Sequence, residues 1–152
     1  MKEYNTGSII ALAASIREQA NTLILNALSE CGVNDLLPAH GMVLNALFQQ
    51  GPIQMSTLAK AIGRKKNTVT GLINTLEERG YCRREPDLQD ARAQLVALTE
   101  KGESIRAVQA KISESLVHQV WSGIKPDEQQ VCVSTLQKIL ENLQGNGALK
   151  NL

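Results

Sequence analysis

Apolar residues recur every three or four positions along most of this chain, which is the spacing of one face of an α-helix. The first such stripe holds Ile9, Leu12, Ile16, Leu23 and Leu28. Similar stripes, bounded by glycine or proline, predict six helices in all. The predicted helices cover residues 6–30, 38–50, 52–63, 67–79, 100–121 and 126 onward.

Two segments between the fourth and fifth helices are strand-like in length. Residues 81–85 and 93–98 flank a polar loop that begins at Pro86, which predicts a hairpin with a charged tip. A short helix, a turn at Gly63, a second helix and a hairpin make a winged helix-turn-helix. We therefore expect a mainly α fold, with six helices and a two- or three-stranded β-wing.

The fourth helix has the composition of a helix that reads DNA. Its apolar stripe is Val69, Leu72, Ile73 and Leu76, and its opposite face carries short polar side chains. Three cations, residues 64–66, precede it, where unpaired N–H groups already favour an anion. These features fit a phosphate backbone and base edges. The helix alone equally allows a solvated surface helix with a basic start.

A motif in the hairpin decides between these interpretations. Asp90-Ala91-Arg92, followed by Leu98-Thr99 and Gly102, resembles the D-x-R…L-T-x-x-G signature of MarR-type winged-helix transcriptional regulators. The resemblance runs through most of the chain and is strongest over residues 36–102. It implies a ligand-responsive repressor that binds a pseudo-palindromic operator in double-stranded DNA as a homodimer. The chain departs from the family pattern at Gly41, Lys65 and Gly71.

The candidate DNA-contacting residues follow from the helix face, the cations and the resemblance. They are Ser56 (a predicted helix N-cap), Arg64, Lys65, Lys66, Asn67, Thr68, Thr70, Asn74, Arg83, Arg84, Asp90 and Arg92. The short polar residues suit base edges, and the cations before the helix and on the first strand suit phosphates. Arg84 has an alternative, which is an ion pair with Glu77 or Glu85.

Arg92 at the wing resembles the arginine with which the family contacts the minor groove, and an arginine suits that narrow, negative channel. Asp90 would hold either the wing backbone or that guanidinium. The alternative is a surface ion pair between the two, which contributes little to stability.

Charge agrees with modest DNA contact. The chain of 152 residues carries a net charge of only +1. Residues 60–92, however, hold eight Lys or Arg against five Asp or Glu, a local balance of +3. Such a patch predicts salt-sensitive binding to double-stranded DNA. A winged helix used only for protein interaction would not need it.

The terminal helices carry more apolar surface than a small winged helix covers. We therefore predict a homodimer, since a two-fold dimer matches a palindromic site; the alternative is that these helices close over one another in a monomer. The predicted division is a dimerisation helix over residues 1–35, a DNA-binding domain over 36–100 and dimerisation helices over 101–152.

The resemblance also implies a small-molecule effector between the DNA-binding and dimerisation parts. The candidate pocket residues are Ile16, His40, Val43, Leu44 and Leu47. Oxidant sensing through Cys31 is an alternative, but neighbouring acidic residues favour a half-buried structural cysteine. A metal sensor would have only His40, His118 and Glu114 as candidate ligands, which are too few, so we expect no metal.

Other functional classes lack support in the sequence. It contains no Gly-rich phosphate loop, nucleophile elbow or HExxH motif, so we expect neither an enzyme nor a cofactor. Three cysteines without disulfide spacing and the absence of a long apolar run predict a cytoplasmic protein with no membrane partner.

Overall fold

The computed structural model describes residues 5–145. A short 3₁₀ turn over Thr6–Ser8 leads into α1. The elements are α1 (Ile9–Glu30), α2 (Pro38–Gln50), β1 (Ile53–Gln54), α3 (Met55–Ile62), α4 (Lys66–Glu78), β2 (Cys82–Pro86), β3 (Gln94–Leu98), α5 (Glu100–Ser104), α6 (Arg106–Val120) and α7 (Pro126–Gln144). Since α5 and α6 cover the one long helix predicted from the sequence, the six helices and the wing are confirmed.

The three strands form one antiparallel sheet in the order β1-β3-β2. In the hairpin, Cys82 pairs with Leu98 and Glu85 with Leu95. The third strand, β1, is only two residues long and pairs Ile53 with Val96. The sequence pattern had assigned these two residues to the start of the third helix.

Below this sheet, α2, α3 and α4 form the centre of the core. Val43, Leu44, Leu58, Ile73 and Leu76 have no exposed surface there. Burying each such side chain contributes about 1.5–3 kcal/mol. Because the buried stripe of α4 is held from three sides, its polar face is fixed outward.

Two local predictions are wrong. Ser56 does not cap α3; the extended residue before that helix is Gln54, and Ser56 is an exposed residue of its first turn. The helix predicted over 100–121 is interrupted at Ile105, whose backbone departs from regular helix with ψ −18. The interruption follows Gly102, which is packed against the backbone of Tyr81.

By their contacts, the described residues fall into two compact units that meet in sequence between Leu116 and Val117. In the first unit, Leu28 of α1 and Ile105 join the core of the winged helix. In the second, α7 begins with Pro126 in its first turn. The functional division at residues 35/36 and 100/101 stays a prediction, and its first four and last seven residues lie outside the described part.

Candidate nucleic-acid interface

The N-terminus of α4 presents cations and free backbone N–H groups together. Arg64, Lys65 and Lys66 are all exposed. Lys65 occupies the N-cap position in an extended conformation, and no side chain caps the first N–H groups of α4. The partial positive charge of a helix N-terminus adds to that of the lysines. This end of α4 is therefore suited to an anion such as a DNA phosphate.

The outward face of α4 is polar along its length. Asn67, Thr68 and Asn74 are exposed, and nothing lies within 4 Å of the position a side chain would take at Gly71. Thr70 is less available, because it is half-buried and its hydroxyl donates to the carbonyl of Lys66 over 2.9 Å. Its oxygen keeps only the capacity to accept a hydrogen bond.

Arg84 of β2 is held against α4 by two side chains of that helix. Its Nη1 forms a salt bridge with the carboxylate of Glu77, and its Nη2 donates to Oδ1 of Asn74 over 2.6 Å. The side chain is only 25% exposed. Arg84 was predicted either to contact phosphate or to form an ion pair, and in the structure it forms the ion pair with Glu77. Arg84 is therefore less available to a phosphate than an arginine without a partner.

Arg83 is also engaged in the wing. Its guanidinium donates to the carbonyl of Leu98 over 2.6 Å and lies 3.2 Å from the carboxylate of Glu85. Arg83 and Arg84 are adjacent on β2, so their side chains leave opposite faces of the sheet. Arg83 is 54% exposed and keeps donors that face solvent.

The tip of the wing is shaped by Asp90. Its Oδ1 accepts a hydrogen bond from the backbone N–H of Arg92 over 3.0 Å, and its carbonyl accepts one from Ala93 over 2.9 Å. Asp90 therefore holds the backbone and not the guanidinium of Arg92. Within residues 5–145 that guanidinium has no hydrogen bond or salt bridge, and Arg92 is exposed. Asp90 and Arg92 do not form the surface ion pair that was the alternative prediction.

The base of the wing has a support that the sequence did not indicate. Nε2 of Gln54 donates to the carboxylate of Asp87 over 2.7 Å. This hydrogen bond holds the pKa of Asp87 below its ordinary value. The sequence does not predict this contact because Gln54 lies on β1, and a two-residue strand has no periodicity. Leu88 beside it is 99% exposed, so the tip also carries an apolar side chain.

A separate cavity of about 230 Å³ lies within the first unit, between α1, α2 and α6. It is lined by Ile24, Leu28, Leu36, Leu37, Pro38, Gly41, Met42, Asn45, Gln109, Ile112, Ser113 and Leu116. Nε2 of Gln109 donates to the carbonyl of Gly41 over 2.6 Å, which leaves its Oε1 free to accept. No charged residue belongs to this lining.

None of the five predicted pocket residues lines this cavity. Val43, Leu44 and Leu47 point into the core, and Ile16 is 56% exposed on α1. His40 is buried, and its Nδ1 accepts from the N–H of Leu37 over 2.9 Å. Burial lowers the pKa of His40, so the ring is neutral at neutral pH. The prediction chose the buried stripe of α2, whereas the cavity meets the flanking face.

The cysteines are free thiols in different surroundings. Cys31 is exposed at the end of α1, so it is not half-buried as expected, and its role stays a prediction. Cys82 is buried, and burial raises the pKa of its thiol to about 11. Among the described residues, no group of three or more His, Cys, Asp or Glu side chains could hold a metal ion. Nor does any described helix have the length and apolar content to cross a membrane.

Comparison with known proteins identifies this arrangement. A family model described as the MarR family matches residues 36–93, from the end of the α1–α2 loop to the end of the wing tip. Transcriptional regulator HosA of Escherichia coli O157:H7 is 29% identical over 106 residues, which are 70% of this chain and 78% of that protein.

Solved structures share the fold at lower identity. The PcaV transcriptional regulator of Streptomyces coelicolor, in complex with its natural ligand, has a TM-score of 0.77 at 20% identity, covering 95% of this chain and 100% of that one. BpsR of Bordetella bronchiseptica, whose DNA binding is regulated by 6-hydroxynicotinic acid, has a TM-score of 0.72 at 24% identity, covering 87% and 98%. At these identities the likeness shows a common fold.

Proposed function

This chain belongs to the MarR family of transcriptional regulators, and from that premise we propose that it is a homodimeric repressor that a small molecule releases from its operator. As a family member it is a DNA-binding regulator. The dimer, the direction of regulation and the effector are the added steps, and each has its own support.

The observation that supports operator binding is that cations are exposed at two places, the start of α4 and the tip of the wing. The cations at the start of α4 are exposed beside its free N–H groups, and Arg92 extends from the wing without a partner in the described residues. A helix in the major groove and an arginine in the adjacent minor groove would use both. A module that binds only proteins would have no need for either.

Exposed apolar residues support the homodimer. On α1, Ile10, Leu12 and Ile16 are each more than half exposed. Along α7, five apolar side chains are exposed between 45% and 63%, namely Val131, Val133, Leu136, Leu140 and Leu143. Such faces are normally covered by another apolar surface. A second copy would cover them and would place two α4 helices on half-sites about 34 Å apart.

The cavity supports a small-molecule effector. The absence of charge from its lining favours an uncharged, mainly apolar ligand, because an unpaired buried carboxylate is costly. Asn45, Ser113 and the free Oε1 of Gln109 would orient it. The effector of BpsR carries a carboxylic acid, so we expect a chemically different ligand here. Binding beside α1, α2 and α6 would alter the separation of the two α4 helices.

The direct experiment is binding of the purified protein to its own upstream DNA, with a coding-region duplex of equal length as control. We expect protection of one pseudo-palindromic site. The logarithm of affinity should fall linearly with the logarithm of salt, by about 0.9 for each phosphate neutralised. Equal affinity for both duplexes, or affinity that does not change with salt, would reject operator binding.

Analytical ultracentrifugation tests the dimer separately. A monomer that still protects the site at micromolar protein would reject the homodimer.

For the effector, Met42→Trp should fill part of the cavity and abolish release by any ligand that dissociates the parent protein from DNA. Release that persists in Met42→Trp would place the effector elsewhere.

A further inference from the structure

The side-chain amide of Asn74 has a defined orientation. Its Oδ1 accepts a hydrogen bond from Arg84 over 2.6 Å. An arginine side chain has donors and no acceptor, so the atom facing it must be the oxygen of the amide. The nitrogen of Asn74 therefore points away from the wing. Among residues 5–145, neither of its N–H groups has a partner.

Arg84, which orients Asn74, is itself held by Glu77 at two points, one on its guanidinium and one on its backbone. Nη1 of Arg84 forms a salt bridge with Glu77, and the backbone N–H of Arg84 donates to Oε1 of Glu77 over 3.1 Å. Glu77 lies three residues after Asn74, on the same side of α4. The planar fork of Arg84 thus spans two neighbouring side chains of the recognition helix, a geometry that the point charge of a lysine cannot reproduce.

We propose that Arg84 and Glu77 are positioning residues that make Asn74 a donor-only reader of base edges. This inference rests on the proposed function, in which α4 enters the major groove. An unconstrained asparagine reads adenine with both its oxygen and its nitrogen. Arg84 takes one of the two lone pairs of Oδ1 and turns that oxygen toward the wing, so the amide nitrogen is the group left to face the DNA, and its partners are acceptors on the base.

The donor-only amide defines the base preference. Guanine presents two acceptors, N7 and O6, to the two N–H groups of the amide, adenine and thymine present one acceptor each, and cytosine presents only a donor. Asn74 therefore selects guanine at the position it contacts, and cytosine on the same strand is the least favourable base. Arg84 contributes to specificity through Asn74 without a base contact of its own.

The test uses the full-length protein and a pool of random duplex DNA. The parent protein selects its consensus from the pool, and affinities are then measured for duplexes carrying each base at each consensus position. Asn74→Ala should flatten one position, where guanine is favoured by about tenfold, and leave the others intact. Arg84→Lys keeps the charge but frees the amide, so the same position should come to accept adenine as well as guanine.

A second variant tests donor-only reading without disturbing the wing. Asn74→Asp replaces the amide nitrogen with an acceptor, so the preferred base should change from guanine to cytosine, whose amino group donates. Asn74 is exposed, so this variant should fold. Arg106→Lys is the matched control for Arg84→Lys, because Arg106 at the start of α6 forms a similar salt bridge with Glu103 of α5, and this variant should leave every base preference unchanged. Melting temperatures are measured for the parent and all four variants.

The outcomes separate this inference from the proposed function. If the parent selects no consensus, sequence-specific binding fails and the inference fails with it. If a consensus exists but Asn74→Ala preserves every preference, Asn74 is not a reader. If Asn74→Ala flattens a position while folded Arg84→Lys keeps the parental preference there, or if Asn74→Asp still selects guanine, the positioning role is wrong.

Discussion

The phenol of Tyr81 donates a hydrogen bond to the carboxylate of Asp35 across 2.6 Å, between residues 46 positions apart in the chain. This contact joins the loop before α2 to the start of the wing. Lys101 adds to it, with its Nζ 4.2 Å from the centre of the Tyr81 ring and 3.7 Å from Asp35. The cluster therefore ties α5 and the α1–α2 loop to the end of the recognition helix.

Removing the hydroxyl should weaken the fold. Tyr81→Phe keeps the buried ring but deletes a hydrogen bond to a charged group, which contributes about 1.5–3 kcal/mol when buried. Because Asp35 is 43% exposed, we expect the lower part of that range. Denaturant unfolding measures the change. In an Asp35→Asn background the same substitution should cost clearly less, and equal costs in both backgrounds would show that the two residues are not coupled.

The same pair should give the protein a defined pH dependence. The hydrogen bond from Tyr81 lowers the pKa of Asp35 below its ordinary 3.8, so the unfolded chain takes up this proton first as pH falls. The contribution of Asp35 is therefore present above about pH 4 and is lost in more acidic solution. We expect the stability of Asp35→Asn to decline less than that of the parent below pH 4, with the difference closing at the lowest pH.

At alkaline pH the sign reverses for the phenol. Burial, together with the hydrogen bond to Asp35, raises the pKa of Tyr81 to about 12 from 10.0. The folded state thus holds the proton more tightly, and its contribution is full below pH 10 and lost as pH rises to about 12. Tyr81→Phe should remove this loss. Spectrophotometric titration of the single described tyrosine in a Tyr4→Phe background gives its pKa directly, and a value near 10 would contradict the buried hydrogen bond.

Gly102 should be the least replaceable glycine of the described chain. A Cβ atom there would lie 2.1 Å from the carbonyl oxygen of Tyr81 and 3.0 Å from Leu98. Backbone cannot yield as a flexible side chain can, so Gly102→Ala should destabilise by about 1–3 kcal/mol, as overpacking does. Gly71→Ala is the matched control. It meets nothing within 4 Å, lies inside α4, and should stabilise by about 1 kcal/mol.

The comparison of these two glycines is made by thermal and denaturant unfolding of both variants. A Gly102→Ala protein as stable as the parent would show that the backbone at Tyr81, just before β2, can shift away. In that event the interruption of the helix at Ile105 needs another cause.

The helices and the hairpin were predictable because their signals are local. The bounds of α2 and the start of α7 follow from apolar spacing closed by Gly51-Pro52 and opened by Pro126. The strand β1 was not predictable, since two residues carry no pattern and their pairing partner, β3, is more than forty residues away. The close packing of Gly102 against the carbonyl of Tyr81, 21 positions earlier, likewise has no local signal.

The sequence predicts which residues lie at the candidate DNA interface better than it predicts what each of them contacts. Spacing places Asn67, Thr68 and Asn74 outward on α4, and the structure agrees. Spacing cannot decide whether Arg84 faces Glu77 or solvent, because that depends on how β2 crosses the helix. The five predicted effector residues do not line the described cavity for a related reason, and their role stays a prediction. A periodic stripe identifies the most buried face of α2, and a cavity requires the face beside it.

Arg92 provides the sharpest test of the wing. Its guanidinium has no partner within the described residues, because the carboxylate and the carbonyl of Asp90 accept from the backbone N–H groups of Arg92 and Ala93. Arg92→Ala should therefore leave the melting temperature nearly unchanged. It should weaken operator binding most where the flanking minor groove is narrow and A·T-rich, because such grooves attract an inserted arginine.

Two comparisons make this prediction specific. Arg92→Lys keeps the charge but should restore only part of the affinity, since an ammonium is more strongly hydrated than a guanidinium and enters the groove less readily. Asp90→Ala removes the turn that presents Arg92, and should weaken binding to the same A·T-flanked operators while it leaves affinity for G·C-flanked ones nearly unchanged. Binding is measured for each protein on operators whose flanks are exchanged from A·T to G·C. If Arg92→Ala binds both kinds of operator as tightly as the parent does, the wing does not read the minor groove through this residue.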